Sequence, residues 1–484
     1  MFFLGLDIGT QGARALVCDE MGKVIARSSC ALVSDSREKL AGGWAEQDPL
    51  SWWEEVSSCL REIVASLKRE GISPEEIKAV SVASISGTII PLGAGNEPLR
   101  KAIMDNDSRA GEEARLINEA GEKLTAKLGY SFKPSFALSK ILWIKRKEPK
   151  IYDLTKKFLQ AADFIIGKLT DDYSTTDSSN ALKTGYDLVS KRWPKFISQT
   201  LEISSSLLPK VISPGTIIGP ISRECSRETG LSRKTLAAAG MTAGTASLVS
   251  TGAVSPGEWA STLGTTLAIA GVSERLIKDR EGRISCHLHP EGFWLPGGAS
   301  STGGECLKDR FGEDDLTELD RYVPERTPTH LTVYPLVRTG ERFPFVNPEA
   351  EGFLIGRPKD KYELYAACLE GVGMVERWAY ELMEKLGAPV GEKIYTSGEG
   401  SKSREWLQVR ANILNKTLVR PKIVEAAFGA AIVASSQTVY NGLSESARKM
   451  VKVDLEVEPQ PEKLKSYAVK YRKFRDACRA IGYE

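Results

Sequence analysis

Asp7 ends a short apolar run, residues 2–8, directly before the turn Gly9-Thr10-Gln11-Gly12, with Arg14 on the run that follows. A carboxylate in that place can reach beyond a strand end, and as a hard oxygen ligand it suits Mg²⁺, directly or through water. The turn amides can point at an anion, and Thr10 can donate to a phosphate oxygen. A plain hairpin whose Asp and Thr satisfy their own turn amides has the same appearance. The device recurs in STLGTTLAIAG, residues 261–271, around Gly264-Thr265-Thr266. Two such turns could clamp a triphosphate from two sides, the positioning and charge stabilisation that phosphoryl transfer requires. A third segment, residues 395–414, runs a strand into Gly398-Glu399-Gly400-Ser401 and then a helix, offering amides to a nucleotide, with neither P-loop nor GxGxxG spacing.

Such turns need strands and helices to carry them. Residues 13–18 and 24–29 read as strands that complete a meander with the first. Residues 50–70 place Trp53, Val56, Leu60, Ile63, Val64 and Leu67 at helical spacing and stop before Gly71, with the Trp52-Trp53 pair as packing. Residues 77–83 return as a buried strand and 84–88 form a polar loop. After Pro256 the order repeats: strands at 259–263, 267–272 and 292–295, a helix at 361–386, a strand at 393–396, a helix at 404–414 and a strand at 417–420. A repeat of about 250 residues predicts two duplicated α/β lobes facing one cleft, with the boundary near residue 245.

The bulk numbers agree with two lobes, since 484 residues exceed the roughly 250 to 300 that one core serves. Against 65 Lys and Arg stand 63 Asp and Glu, leaving +2 and no basic block, which excludes nucleic acid as a partner. A phosphate ligand must then be held locally. The eight cysteines are scattered singly and read as thiols. His287 and His289, lacking a third ligand nearby, read as structural. The basic stretch 463–479 reads as a solvated helix face. Without a secretory start or an apolar run near the roughly twenty residues of a membrane span, the expectation is a cytoplasmic protein with no membrane partner, a homodimer by default.

Further segments stand in a recognisable order: GGWAEQDPLSWWEEV (42–56), ISGTIIPL (85–92), MDNDSRA (104–110), SNALKTGYD (179–187), SPG (255–257), LPGGASSTGG (295–304), YPLVRTGERFPF (334–345) and EAAFGAA (425–431). With the three turns they resemble the FGGY carbohydrate kinases over nearly the whole chain, and the xylulokinase and ribulose-kinase branch most. The resemblance implies two actin-like lobes of the ribonuclease H-like, hexokinase/Hsp70 superfamily with an interdomain cleft, residues 1–245 binding sugar and 246–484 binding ATP. It implies ATP and Mg²⁺ as cofactors and a ketose or related polyol as the small-molecule partner. Asp7 then resembles the metal-organising carboxylate. Thr10, Gln11, Gly12 and Arg14 resemble phosphate holders, as do Gly264, Thr265 and Thr266. Gly303 and Gly304 resemble a nucleotide-lining segment, and Gly398, Glu399, Gly400 and Ser401 the adenosine loop. Ser86, Asp107 and Arg109 match positions near the sugar hydroxyls.

One departure bears on catalysis. The family's general base is an Asp in a segment of the form G-x-T-D-G, and here the segment is Gly240-Met241-Thr242-Ala243-Gly244. Ala243 cannot accept a proton, and loss of a positioned base lowers rates by about 10² to 10⁴. Three readings stay open: an inactivated variant that traps its substrates, a natural regulator that binds sugar or nucleotide, or a base from elsewhere, Asp7 being the candidate. An ATPase switch of the Hsp70 or actin kind is a further rival, opposed by the sugar-side set at Ser86, Asp107 and Arg109.

Overall fold

The computed structural model describes residues 1–31 and 39–483. Two compact units emerge. The first comprises Met1–Ser250, His287–Gly292 and Ile423–Val451, and the second Thr251–Cys286, Phe293–Lys422 and Lys452–Glu484. The single cut expected near 245 is thereby corrected, for a packing reason. The helix Ala426–Ser435, buried along all its length, lies over the first strand so closely that a Cβ on Gly5 would sit 1.8 Å from Ala427 O. Only glycine permits that approach.

In the first unit β1 (Phe2–Gly9), β2 (Gly12–Asp19) and β3 (Val24–Ala31) form the antiparallel meander expected. β4 (Ile77–Ser84) joins β1 in parallel, and β5 (Ile217–Pro220) and β6 (Leu236–Ala238) extend the sheet in the order β5-β6-β4-β1-β2-β3. β7 (Met241–Thr242) also pairs with β4 in parallel. The helix Pro49–Arg69 begins with Pro49 behind the cap Asp48, whose carboxylate accepts from Leu50 N. Its buried stripe Trp52, Val56, Leu60, Ile63 and Leu67 packs on β2 and β3, each residue contributing about 1.5–3 kcal/mol of burial.

The second unit repeats this plan. β8 (Trp259–Leu263) and β9 (Leu267–Gly271) form a hairpin, and β10 (Ile284–Leu288) and β11 (Trp294–Ala299) extend it, β11 being the strand expected at 292–295. β12 (Lys393–Ser397), β13 (Thr417–Pro421) and β14 (Val453–Val457) complete the order β10-β11-β9-β8-β12-β13-β14, with β12 parallel to β8. A fully buried ion pair braces it: Arg410 Nε donates to Glu376 Oε2 at 2.7 Å, Nη2 to Oε1 at 2.8 Å and Nη1 to Thr396 Oγ1 at 2.9 Å. Ser261 of β8 donates to the same carboxylate at 2.5 Å.

The C-terminal helix Pro461–Ala480 is more than the solvated face expected, because Tyr467, Tyr471, Phe474 and Cys478 are buried. Lys470 Nζ caps Thr329 O and Leu331 O and pairs with Glu370 at 2.9 Å. Among the described residues no helix is long and apolar enough to cross a membrane.

Candidate active site

Three parallel strands of the first unit end in a row. Asp7 of β1 and Met241 of β7 both stand in register with Ala83 of β4, one on each side of it. With strands about 4.8 Å apart, the ends carrying Asp7 and Thr242-Ala243 lie about 10 Å from each other. Asp7 is 7% exposed, and its single side-chain hydrogen bond, from Arg14 Nη1 at 3.3 Å, is long. Burial raises its pKa above the usual carboxylate range, against the pull of Arg14 and with a further push from Glu425. Thr10, half-buried at the turn, accepts from Gln47 Nε2 on its carbonyl at 3.4 Å, and Gln11 is exposed. Gly12 has φ 139°, the region glycine favours.

Ala243 opens the helix Ala243–Thr251. The approach to it is fixed by Thr242, whose N donates to Ser179 Oγ at 2.9 Å and whose hydroxyl lies 2.8 Å from Thr245 Oγ1. The helix start is thus ordered without any proton acceptor at 243.

Ser86 sits in the loop after β4 and is buried. Asp107 and Arg109 are engaged elsewhere. Asp107 Oδ1 accepts from Arg109 N and Nε, both at 2.9 Å, and Oδ2 accepts from Arg109 Nη2 at 2.8 Å and Ala45 N at 2.6 Å. Four donors fill the carboxylate. The Arg109 guanidinium lies 3.9 Å from the Trp44 ring centre and 4.9 Å from that of Trp143, with Nη1 2.7 Å from Glu46. The pair is a buried brace for the segment around Trp44 rather than a surface pair.

In the second unit the three remaining segments converge. Gly264 and Thr265, Gly304, and Glu399 and Gly400 line one cavity of about 1070 Å³, with Phe311, Tyr365 and Trp406 as apolar wall and Lys308, Arg338 and Lys402 as cations. Backbone bonds lock the turns together: Gly304 N donates to Gly264 O at 2.8 Å, Glu305 N to Thr265 O at 3.1 Å and Gly264 N to Thr266 O at 3.1 Å. A Cβ on Gly303 would meet Thr266 Cα at 2.4 Å, and one on Gly398 would meet Leu263 O at 2.4 Å. These glycines are dictated by the closeness of the loops, and the exposed Thr265 hydroxyl is left facing outward. Ser401 is held inward, its hydroxyl donating to Gly398 O at 2.7 Å.

Two residues that sequence reasoning passed over position these groups. Glu341, the one carboxylate of the segment 334–345, accepts from Ser300 Oγ at 2.8 Å, Ser301 N at 2.6 Å and Tyr334 OH at 2.9 Å, fixing the segment before Gly303. Lys140, the lone cation amid ALSKILWI, donates to Gly87 O at 2.8 Å, Ser135 O at 3.0 Å and Met104 O. A charge isolated in an apolar run was the signal for Lys140, whereas Glu341, beside Arg342, carried none. His289 Nδ1 accepts from Glu291 N at 3.1 Å. Among the described residues no three His, Cys, Asp or Glu gather as a metal cluster, so a cation beside Asp7 would draw its other ligands from water and phosphate.

Residues 2–250 match the FGGY family of carbohydrate kinases, N-terminal domain, and 262–438 its C-terminal domain. The chain is 24% identical to the xylulose kinase of Bacillus subtilis (strain 168), over 96% of this chain and 94% of the relative. It is 26% identical to the gluconokinase of Bacillus licheniformis, over 100% and 96%. In fold it is similar to the xyloylose kinase from Brucella ovis, with a TM-score of 0.88 at 24% identity, covering 99% of each chain. With two actin-like α/β lobes and both family domains present in order, the chain belongs to the FGGY family of carbohydrate kinases.

Proposed function

We propose that this chain binds ATP with Mg²⁺ through the second unit's cavity and the Asp7 turn. On this reading it holds a ketose or related open-chain polyol at the strand edge of the first unit and directs a phosphoryl group to one hydroxyl. The observation that carries it is the convergence on one cavity of three glycine-bearing segments, two read from the sequence and the third implied by the resemblance. Its volume is near the upper end of the roughly 300–1,000 Å³ of small-molecule sites. When bound, ATP with its metal supplies the phosphoryl group and the positive charge that offsets the phosphate oxygens. The chain's own part is placement. Thr10 and Thr265 offer hydroxyl donors, and Gly264 and Gly304 let backbone approach an anion. Asp7, buried with one long partner, is suited to a hard cation. Ser86 stands at the sugar side, with Asp107 and Arg109 shaping its surroundings.

The attacking hydroxyl lacks an acceptor for its proton, since Ala243 stands where the family's Asp is expected, so turnover is greatly reduced. The same alanine favours a second reading, a non-catalytic regulator that binds sugar or nucleotide. ADP release from ATP-Mg²⁺ against a panel of ketoses, polyols and sugar acids, in this chain and its Ala243→Asp form, separates them. Turnover with one sugar in the Asp form supports the kinase. Binding without turnover in either form supports the regulator.

A further inference from the structure

Lys183, on the short turn Leu182–Thr184, directs its ammonium at the loop carrying Ser86. Its Nζ donates to Ser86 O at 2.9 Å and lies 5.8 Å from the centre of the Phe136 ring. Gln160 joins the two loops, Oε1 accepting from Gly87 N at 2.7 Å and Nε2 donating to Thr184 Oγ1 at 3.3 Å. Lys140 ties Gly87 to Met104, and Ile89 and Ile103 exchange N–H to O bonds at 3.0 and 3.1 Å. That antiparallel pairing brings Asp105 to the same end as Ser86.

The charge at this spot is unbalanced. All three N–H groups of Lys140 are taken by carbonyls, whereas Lys183 has one acceptor and two N–H groups to spare. Asp107 is filled by Arg109, which leaves Asp105 as the carboxylate that both ammoniums feel. Among the described residues neither lysine forms an ion pair within 4.0 Å. Two neighbouring atoms, Asp105 Oδ1 and His287 Nδ1, are buried without a hydrogen-bond partner. The imidazole is held neutral, down to about 4, by burial and then by the Lys183 charge.

A neutral polyol would pair the orphan atoms yet leave the ammoniums of Lys140 and Lys183 sharing the one carboxylate of Asp105. A carboxylate supplies the counter-ion and accepts both spare N–H groups in charge-assisted bonds. We infer that Lys183 sets substrate choice by pairing with a carboxylate of the sugar, so that the substrate class is an open-chain sugar acid, with Asp105 and His287 pairing its hydroxyls. This narrows the proposed kinase reading and rests on it.

Calorimetric titration of D-gluconate and D-xylulose into the full chain tests the assignment, with Lys183→Met and Lys183→Arg alongside. Gluconate is expected to bind, to weaken at least about tenfold in Lys183→Met and to return to within about threefold in Lys183→Arg, xylulose changing less than about threefold throughout. Should Lys183→Met not fold, salt titration of the unaltered chain decides instead: gluconate affinity falls from about 0.05 to 0.5 M salt and xylulose affinity holds. Xylulose binding without gluconate, or gluconate binding indifferent to both lysine and salt, overturns the carboxylate assignment and leaves the kinase reading in place. Binding of neither sugar to any form, with no turnover in Ala243→Asp, overturns both.

Discussion

The two turns around Gly9-Thr10 and Gly264-Thr265 are the same device in different company. Each joins an antiparallel hairpin, and each hairpin lies beside a parallel strand. In the first unit a carboxylate, Asp7, stands two residues before the glycine, and a Cβ on Gly9 would find its nearest neighbour, Gly12 O, at 3.8 Å. In the second unit the matching position is Thr262, whose hydroxyl lies 3.0 Å from Ser397 Oγ, and the turn is wedged against Gly303 and Gly304. A Cβ on Gly264 would likewise meet nothing within 4 Å, so both turns are open at that glycine, and they differ in the charge of Asp7 and in the Gly303-Gly304 backbone that closes on the second turn. The duplicated plan therefore supplies one turn twice, and the neighbours within each unit decide what chemistry each can offer.

That contrast can be broken in graded ways. The largest effect is expected at the helix start of the first unit: Ala243→Asp raises sugar-dependent ADP formation by about 10² to 10⁴. Next comes the brace of the second unit, where Arg410→Met leaves Glu376 buried and unpaired and lowers stability in denaturant by about 3–5 kcal/mol. The first turn and the segment that closes on the second differ as well. Gly303→Ala forces backbone apart, lowering stability by about 1–3 kcal/mol and nucleotide affinity with it, whereas Gly9→Ala changes stability by less than about 0.5 kcal/mol. The smallest effect is at Asp7. Its folded pKa is raised, so its contribution to stability is full below the unfolded value near 3.9 and is lost as pH rises through the folded value. Asp7→Asn is thus expected to raise Tm modestly at pH about 7 and to leave it unmoved near pH 3, while weakening Mg²⁺-dependent nucleotide binding. Equal Tm shifts at both pH values would show that burial of the charge is not the cause.

The meander, the helix Pro49–Arg69 and both turns were legible because their signals are local: alternation, helical spacing, glycine punctuation. The turns Gly264–Thr266 and Gly398–Ser401 were legible for the same reason, each following its own strand, whereas Gly303 and Gly304 were read from the resemblance. Arg109 was legible as a charge, but its partners Trp44, Glu46 and Trp143 lie far off in sequence, and no spacing announces them. The helix Ala426–Ser435 is apolar all round, so it has no face from which to read what it covers. Its address is written at Gly5, at the opposite end of the chain. The compact units depart from a single cut there and for that reason, while the family domains divide between residues 250 and 262.

That address sets a timetable. During synthesis the first strand, its hairpin and β4 leave the ribosome with Gly5 uncovered, and they wait for a helix about 340 residues beyond Ser84. At about 5–20 residues per second the delay is roughly seventeen to seventy seconds. A fragment ending at residue 250, the limit of the N-terminal family domain, would keep that apolar face open indefinitely. Fragments divided at the family boundary are therefore candidates for aggregation or chaperone capture, and reassembly would need the piece bearing Ile423–Val451 supplied in trans.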